Sequence, residues 1–203
     1  MPNIVETSYI LEGPKETLQK IYDAIKHSCD CIGHHYAEDD NRLEGLNLPE
    51  SFLLDALNIK YPDDYYLRGW IQVCELDSTL YMYAEEAWGL TDFAGVLMAN
   101  ITDIKIYYQT IDRSGDGSVT NDVEGKYFPE KFLIDKTDCG ETHEFDTKEA
   151  AYAWLEECTG CKNEDDVELF NDKNHDSGPN IYIIEIKVVD DPLIDVKPCD
   201  AKS

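Results

Sequence analysis

The chain is expected to be an α+β protein of the ferredoxin-like, split βαβ type, an antiparallel sheet with helices on one face. Three observations carry this. Residues 4–12 are rich in β-branched and aromatic types and stop at Gly13-Pro14, after which Leu18, Ile21, Tyr22 and Ile25 recur at helical spacing. Residues 70–75 and 79–87 alternate apolar and polar types around Asp77-Ser78, the pattern of a hairpin with one buried face. Residues 90–101 then suit a helix, with Phe93, Val96, Leu97 and Met98 near one side and Thr91 close to a capping position. An alternating strand comes next at Ile104, Ile106 and Tyr108, so the order reads β, α, β, β, α, β.

Each element has a local reason. Proline's fixed φ suits a first helical turn, so Pro14 opens a helix over 14–28. Residues 28–68 read as an insertion, with an acidic loop (Glu38, Asp39, Asp40), a short helix near 50–58 and a turn at Tyr61-Pro62-Asp63-Asp64. Beyond Gly115–Gly117, strands are expected at 126–128, 131–136 and 141–145, interrupted by Pro129 and Gly140, and extending the same sheet. Asp146 is placed as N-cap of a helix carrying Ala150, Ala151, Ala153, Trp154 and Leu155, with Glu149 three residues on and Gly160 as its stop. An acidic helix near 164–170 and a strand over 180–189 complete a single domain of residues 1–189. Residues 190–203 read as a flexible tail.

The 203 residues carry 17 Lys and Arg against 43 Asp and Glu, a formal net charge of −26, with the deficit spread over both halves. Neutralising a phosphate backbone or an anionic membrane surface needs clustered cations, so direct nucleic-acid binding and membrane attachment are disfavoured. A charged partner is therefore expected to be a basic protein. No stretch approaches the ~20 apolar residues of a membrane helix. The chain opens on Met1-Pro2-Asn3 with no basic segment leading into an apolar run, and its seven cysteines are an odd number; the expectation is a cytoplasmic protein with reduced thiols.

Several short phrases carry a family likeness. Met1-Pro2-Asn3 opening a strand that ends in Gly13-Pro14-Lys15-Glu16, Glu86-Ala87-Trp88-Gly89 before a helix, and Asp103-Ile104-Lys105-Ile106-Tyr107-Tyr108 resemble the YubB-type ferredoxin-like accessory proteins of phages, plasmids and integrated elements. Thr120-Asn121-Asp122 and Gly125-Lys126-Tyr127-Phe128-Pro129 add to the likeness. It covers roughly residues 1–27 and 70–157. The resemblance implies a ferredoxin-like fold and a mobile-element origin, and it brings no catalytic set.

Three clusters are candidates for cations. Cys29-Asp30-Cys31 with His34 and His35 has zinc-ligand types at a spacing unlike the usual knuckles. Cys158-Thr159-Gly160-Cys161 is a C-x-x-C that, with Cys139 and His143, makes a zinc candidate. Its place after a helix, at the negative end of the dipole, disfavours a thioredoxin-type redox role. Asp112 to Val119 matches the opening of a calcium loop, but the twelfth position is Val123 where a bidentate glutamate belongs. A nucleophile elbow and a phosphate-cradling loop are both missing, and with 43 acids a pair of carboxylates is no signal of acid–base chemistry.

The chain is therefore read as a non-enzymatic acidic protein that binds a basic host or phage protein, as a nucleic-acid mimic or anti-defence inhibitor. The alternative is a small zinc module or metal-dependent enzyme. Partner contacts are expected from Glu38, Asp39, Asp40, Asp63 and Asp64 with Tyr61, Tyr65 and Tyr66, since aromatic rings beside carboxylates anchor Arg and Lys.

Overall fold

The computed structural model describes residues 4–113, 117–136, 141–174 and 180–189. In chain order the elements are β1 (Ile4–Glu12), α1 (Lys15–Cys31), β2 (Ala37–Asp39), β3 (Arg42–Pro49), α2 (Glu50–Ala56), β4 (Gly69–Leu76), β5 (Leu80–Ala87) and α3 (Phe93–Asn100). Next come β6 (Lys105–Ile111), β7 (Val119–Thr120), β8 (Phe132–Lys136), β9 (Glu141–Phe145), α4 (Lys148–Thr159), α5 (Glu164–Asn174), β10 (Ile181–Glu185) and β11 (Lys187–Val188). A large sheet has the order β11-β7-β6-β1-β5-β4-β3-β2, and a second sheet the order β10-β8-β9. Every pairing is antiparallel except the short one between β11 and β7.

The alternation read from the sequence sets the faces. Val5, Thr7, Tyr9 and Leu11 of β1 are buried, while Glu6, Ser8, Ile10 and Glu12 face the other side half-exposed. On the buried side Leu18, Ile21, Tyr22, Ile25 and Cys29 of α1 join Leu53 and Leu54 of α2 and Phe93 and Leu97 of α3 in one core. Burying such side chains contributes roughly 1.5–3 kcal/mol each, so this helix-covered face holds the sheet together.

Residues 37–56 belong to this architecture. They add β3 and β2 to the β4 edge and pack α2 beside α1. The outermost strand, β2, is three exposed residues including Glu38 and Asp39, and a short charged edge resists pairing with another chain.

The C-terminal region departs from the expected extension of the sheet. Only β7 and β11 lengthen the large sheet, while β8 pairs with β9 on one side and with β10 on the other in a separate sheet. Residues 126–128 form no strand, because the Asp122 carboxylate accepts the Tyr127 N–H at 2.6 Å and the Phe128 N–H at 2.9 Å, removing the donors a ladder needs. The single strand expected over 180–189 is divided at Ile186, whose N–H turns to Lys131 O at 2.8 Å. Residues 181–185 then serve the small sheet and 187–188 the large one. The tail, 190–203, lies outside the described residues.

The N-cap of α4 is Thr147, whose hydroxyl accepts the Ala150 N–H at 3.2 Å; Asp146, the expected cap, precedes it. Gly160 ends α4 with φ +82° and donates its N–H to Glu156 O, as its identity suggested. A Cβ there would meet no atom within 4 Å, so Gly160→Ala carries only the left-handed backbone cost. A loss of about 1 kcal/mol in urea unfolding is expected, with Gly160→Asn costing less.

The small sheet, α4 and α5 share a second core of Ile134, Ala151, Leu155, Cys161, Val167 and Ile181. This unit docks on the β6 margin of the large sheet's second face, where Ile111 packs with Leu133, Ile184 and Ile186. Among the described residues no helix is long and apolar enough to cross a membrane.

Candidate functional site

Among the described residues no helix covers the β1-β5-β4-β3 part of the large sheet's second face, and cross-strand register dictates what stands on it. Directly paired residues point to the same side, so one row runs Asp39, Arg42, Glu75, Tyr81, Ile10, Tyr107 from β2 to β6. A parallel row places Glu44, Val73, Tyr83 and Ser8 together, and a third places Trp70, Glu85 and Glu6 together. Tyr81, Tyr83 and Glu85 are half-exposed and Trp70 is 36% exposed. The β6 margin is closed: Tyr107 is buried edge-on against Tyr127, with the ammonium groups of Lys105 and Lys126 over its ring.

The charges of this face are arranged around guanidinium groups. Arg42 donates to Glu44 at 2.6 Å and to Glu75 across the strand. Arg113 donates to Glu6 at 3.2 Å and to Asp135 at 3.0 Å, tying the small unit to the sheet. Each pair of carboxylates raises the pKa of its arginine, chiefly through the hydrogen bonds. Among the described residues Glu85 receives a 3.4 Å contact from Gln72 alone, and it stands directly opposite Glu6, a like-charge pair that costs the sheet stability. Burial, then Glu6 and Glu85, push the Tyr83 hydroxyl up to about 12, so the ring sits in an electron-rich, negative setting.

The residues expected to form an aromatic and acidic anchor are distributed differently. Asp39 lies on this face, whereas Glu38 points to the helix side and pairs with Lys26 of α1. Asp40 forms the turn after β2 with φ +49°. Asp63 and Asp64 are exposed. Tyr61 and Tyr65 pack against the main core, and the Tyr66 hydroxyl donates to Ala87 O. Among the described residues no hydrogen bond or ion pair joins the 38–40 group to the 61–66 group. Trp70, Tyr81, Tyr83, Glu75 and Glu85 are readable only as a half-buried hairpin; their convergence is set by the β4–β5 register, irregular between Ile71 and Val73, and Glu6 joins them through β1.

The zinc candidates divide in three ways. Cys139 lies outside the described residues. His143 of β9 stacks on Trp154 with ring centroids 4.2 Å apart. Cys158 is exposed, and Cys161 is buried with its thiol directed to Asp166 O at 3.6 Å. Among the described residues no three His, Cys, Asp or Glu side chains are grouped to hold a metal ion. Ser114 to Asp116 of the calcium-like segment also lie outside the described residues. The five described cysteines, Cys29, Cys31, Cys74, Cys158 and Cys161, are free thiols.

One cluster is not evident from the sequence. Glu50, the first residue of α2, and Glu86 of β5 are both fully buried. Glu86 accepts hydrogen bonds from the Tyr9 hydroxyl, from Thr7 Oγ1 at 2.9 Å and from the Thr91 N–H at 3.3 Å. Thr91 Oγ1 donates to Glu50 Oε2 at 2.9 Å. A signal for Glu86 was present: it continues the inward series Leu80, Met82, Ala84. Nothing local distinguishes Glu50 from a solvated acid in the first turn of a helix.

Comparison with protein-family models, with curated proteins and with solved structures gave no match.

Proposed function

We propose that this chain is a non-enzymatic, acidic binding protein that takes a basic protein as its partner, and that the uncovered face of the large sheet is where the partner docks. The observation that carries this is the convergence of Trp70, Tyr81 and Tyr83 with Glu75, Glu85 and Glu6 on one face. Rigid aromatic area beside carboxylates suits arginine and lysine side chains, through cation–π attraction and charge-assisted hydrogen bonds. Carboxylates of this face already hold Arg42 and Arg113 by charge-assisted hydrogen bonds. The long-range field of a −26 chain adds steering toward a cationic surface. The partner class includes proteins whose basic grooves neutralise phosphates, which an acidic protein occupies as a nucleic-acid mimic.

The order β6-β1-β5-β4, with β1 antiparallel to both neighbours, supports the split βαβ reading of the first half and through it the kinship with YubB-type accessory proteins of mobile elements. The free thiols suit action in the reducing cytoplasm.

Affinity capture tests the proposal. Immobilised full-length protein is expected to retain a basic protein from bacterial lysate at low salt and release it at high salt. The Trp70→Ala/Glu85→Lys double variant, checked for native circular dichroism, is expected to lose at least about tenfold in retention. Equal retention of the same protein by the variant, or retention indifferent to salt, would refute the assignment.

A further inference from the structure

The Glu50 and Glu86 carboxyls lie on the opposite side of the sheet from the proposed docking face, and their role does not depend on it. The pair is enclosed by Thr7 and Tyr9 of β1, Thr110 of β6, Gly69 of β4 and Thr91 ahead of α3. Among the described residues no lysine, arginine or histidine hydrogen-bonds to either carboxyl. The strand and helix residues Glu6, Glu12, Glu75, Glu85, Lys105 and Asp55 form no hydrogen bond or ion pair with either carboxyl, and the titratable and charged groups beside the pair are Tyr9 of β1 and, from the loops, Tyr66, the exposed Arg68 and Asp92. Tyr66 and Asp92 are engaged with each other, since the Tyr66 N–H donates to Asp92 Oδ2 at 2.6 Å.

The donors around the pair fall one short. Two ionised carboxylates have only acceptors; the Gly69 backbone N–H lies toward Glu50, yet Glu50 Oε1, fully buried, has no hydrogen-bond partner. Two negative charges this close, away from water and without a cation, repel strongly and forfeit their hydration. A proton on Glu50 removes one charge and turns the orphan oxygen into a donor for the Glu86 carboxylate. We infer that Glu50 and Glu86 hold one shared proton as part of the fold, and that its release to solvent as the pH rises weakens the seating of α2 on the β4–β5 end of the sheet. The pair is a pH-sensitive latch. The bond lost is the Glu50 O–H···O Glu86 hydrogen bond, and the products are two carboxylates and a solvated proton.

Titration runs in the same direction. Burial pushes the Glu86 carboxyl up from the ordinary 4.5 to about 7, against the hydrogen bonds from Tyr9, Thr7 and Thr91 that favour its ionised form. Burial and then the charge of Glu86 push Glu50 well up. A carboxyl whose folded pKa exceeds its unfolded pKa binds more proton in the folded state, so stability falls as pH rises. The contribution is fully present below the ordinary glutamate value and is lost as pH climbs through the folded value.

Urea unfolding from about pH 5 to about pH 8 tests this. For one shared proton, the folded-to-unfolded ratio of the native protein is expected to fall by as much as about tenfold per pH unit from the ordinary glutamate value of 4.5 upward, until that proton is released. Glu50→Gln, whose amide N–H₂ donates to Glu86 at every pH, is expected to flatten that slope; the remaining slope reports the general charge of the chain. Infrared spectra supply a second readout that needs no variant to fold. Near pH 6, where surface carboxyls are ionised, a protonated-carboxyl C=O band is expected. Its absence in the native protein, or an unchanged pH slope in a folded Glu50→Gln variant, overturns the latch.

Discussion

Gly69→Ala is expected to destabilise the fold by about 3 kcal/mol or more, a large effect for the addition of one methyl group. A Cβ at this position would lie 2.4 Å from the carboxyl carbon and Oε1 of Glu50, and 2.6 Å from Oε2. The carboxyl cannot swing aside into water, because it is fully buried and held by Thr91 Oγ1. The glycine is thus required by a buried acid, since its backbone lies in ordinary strand conformation opposite Glu86 in the register. The corollary is coupling: Gly69→Ala in a Glu50→Ala background should cost much less than it does alone, because the obstructing carboxyl is gone. A double-mutant cycle in urea measures this, and additive costs would show that the strain has another source.

Asp122→Ala is expected to cost about 3 kcal/mol, for a different reason. The Asp122 carboxylate is buried, and its Oδ2 accepts the backbone N–H groups of Tyr127 and Phe128, organising the turn that links the end of β7 to β8. Without it those donors lose a charged acceptor, and Phe128, itself buried, loses its anchor. Burial alone would raise this carboxyl. The N–H groups of Tyr127, Phe128 and Lys126 outweigh that and hold it below the ordinary aspartate value. Its contribution is therefore present above the unfolded pKa and is lost as pH falls through the lower folded value. The protein is expected to lose stability toward both strong acid and mild base, through two different carboxyl sites. Urea midpoints of Asp122→Ala against pH check this: its acid-side loss should be shallower than that of the native protein.

How much of this was legible in the sequence depended on whether burial followed a period. β1 and β5 alternate cleanly, β4 does so apart from one irregularity between Ile71 and Val73, and α1 repeats its apolar positions every three or four residues, so the core of the large sheet could be read directly. β3 could not, because its register shifts between Glu44 and Leu48. Gly45 and Asn47 adopt φ +70° and +42° there, bringing Leu43, Leu46 and Leu48 all into the core without alternation. The strands of the small sheet are evident in the sequence but their separation from the large sheet is not, since Ile186 redirects the chain through a backbone bond that no side-chain pattern encodes. The buried acids were hidden by composition: among 43 carboxylates, identity says nothing about burial. The partner face was hidden because the pairings within the β4–β5 hairpin, and the placing of Glu6 opposite Glu85 from a strand 79 positions away, decide which aromatic and acidic residues share a side.

The most direct measurement of the central claim is an NMR titration of the full chain with a short arginine-rich peptide at low salt, tracking side-chain and backbone signals. Saturable shifts are expected, confined to the Trp70 indole, Tyr81, Tyr83 and the β4 and β5 positions around Glu75 and Glu85, and suppressed at high salt and by the Trp70→Ala/Glu85→Lys substitutions. Shifts spread evenly over every acidic surface, with the tryptophan and tyrosine signals unmoved, would contradict it.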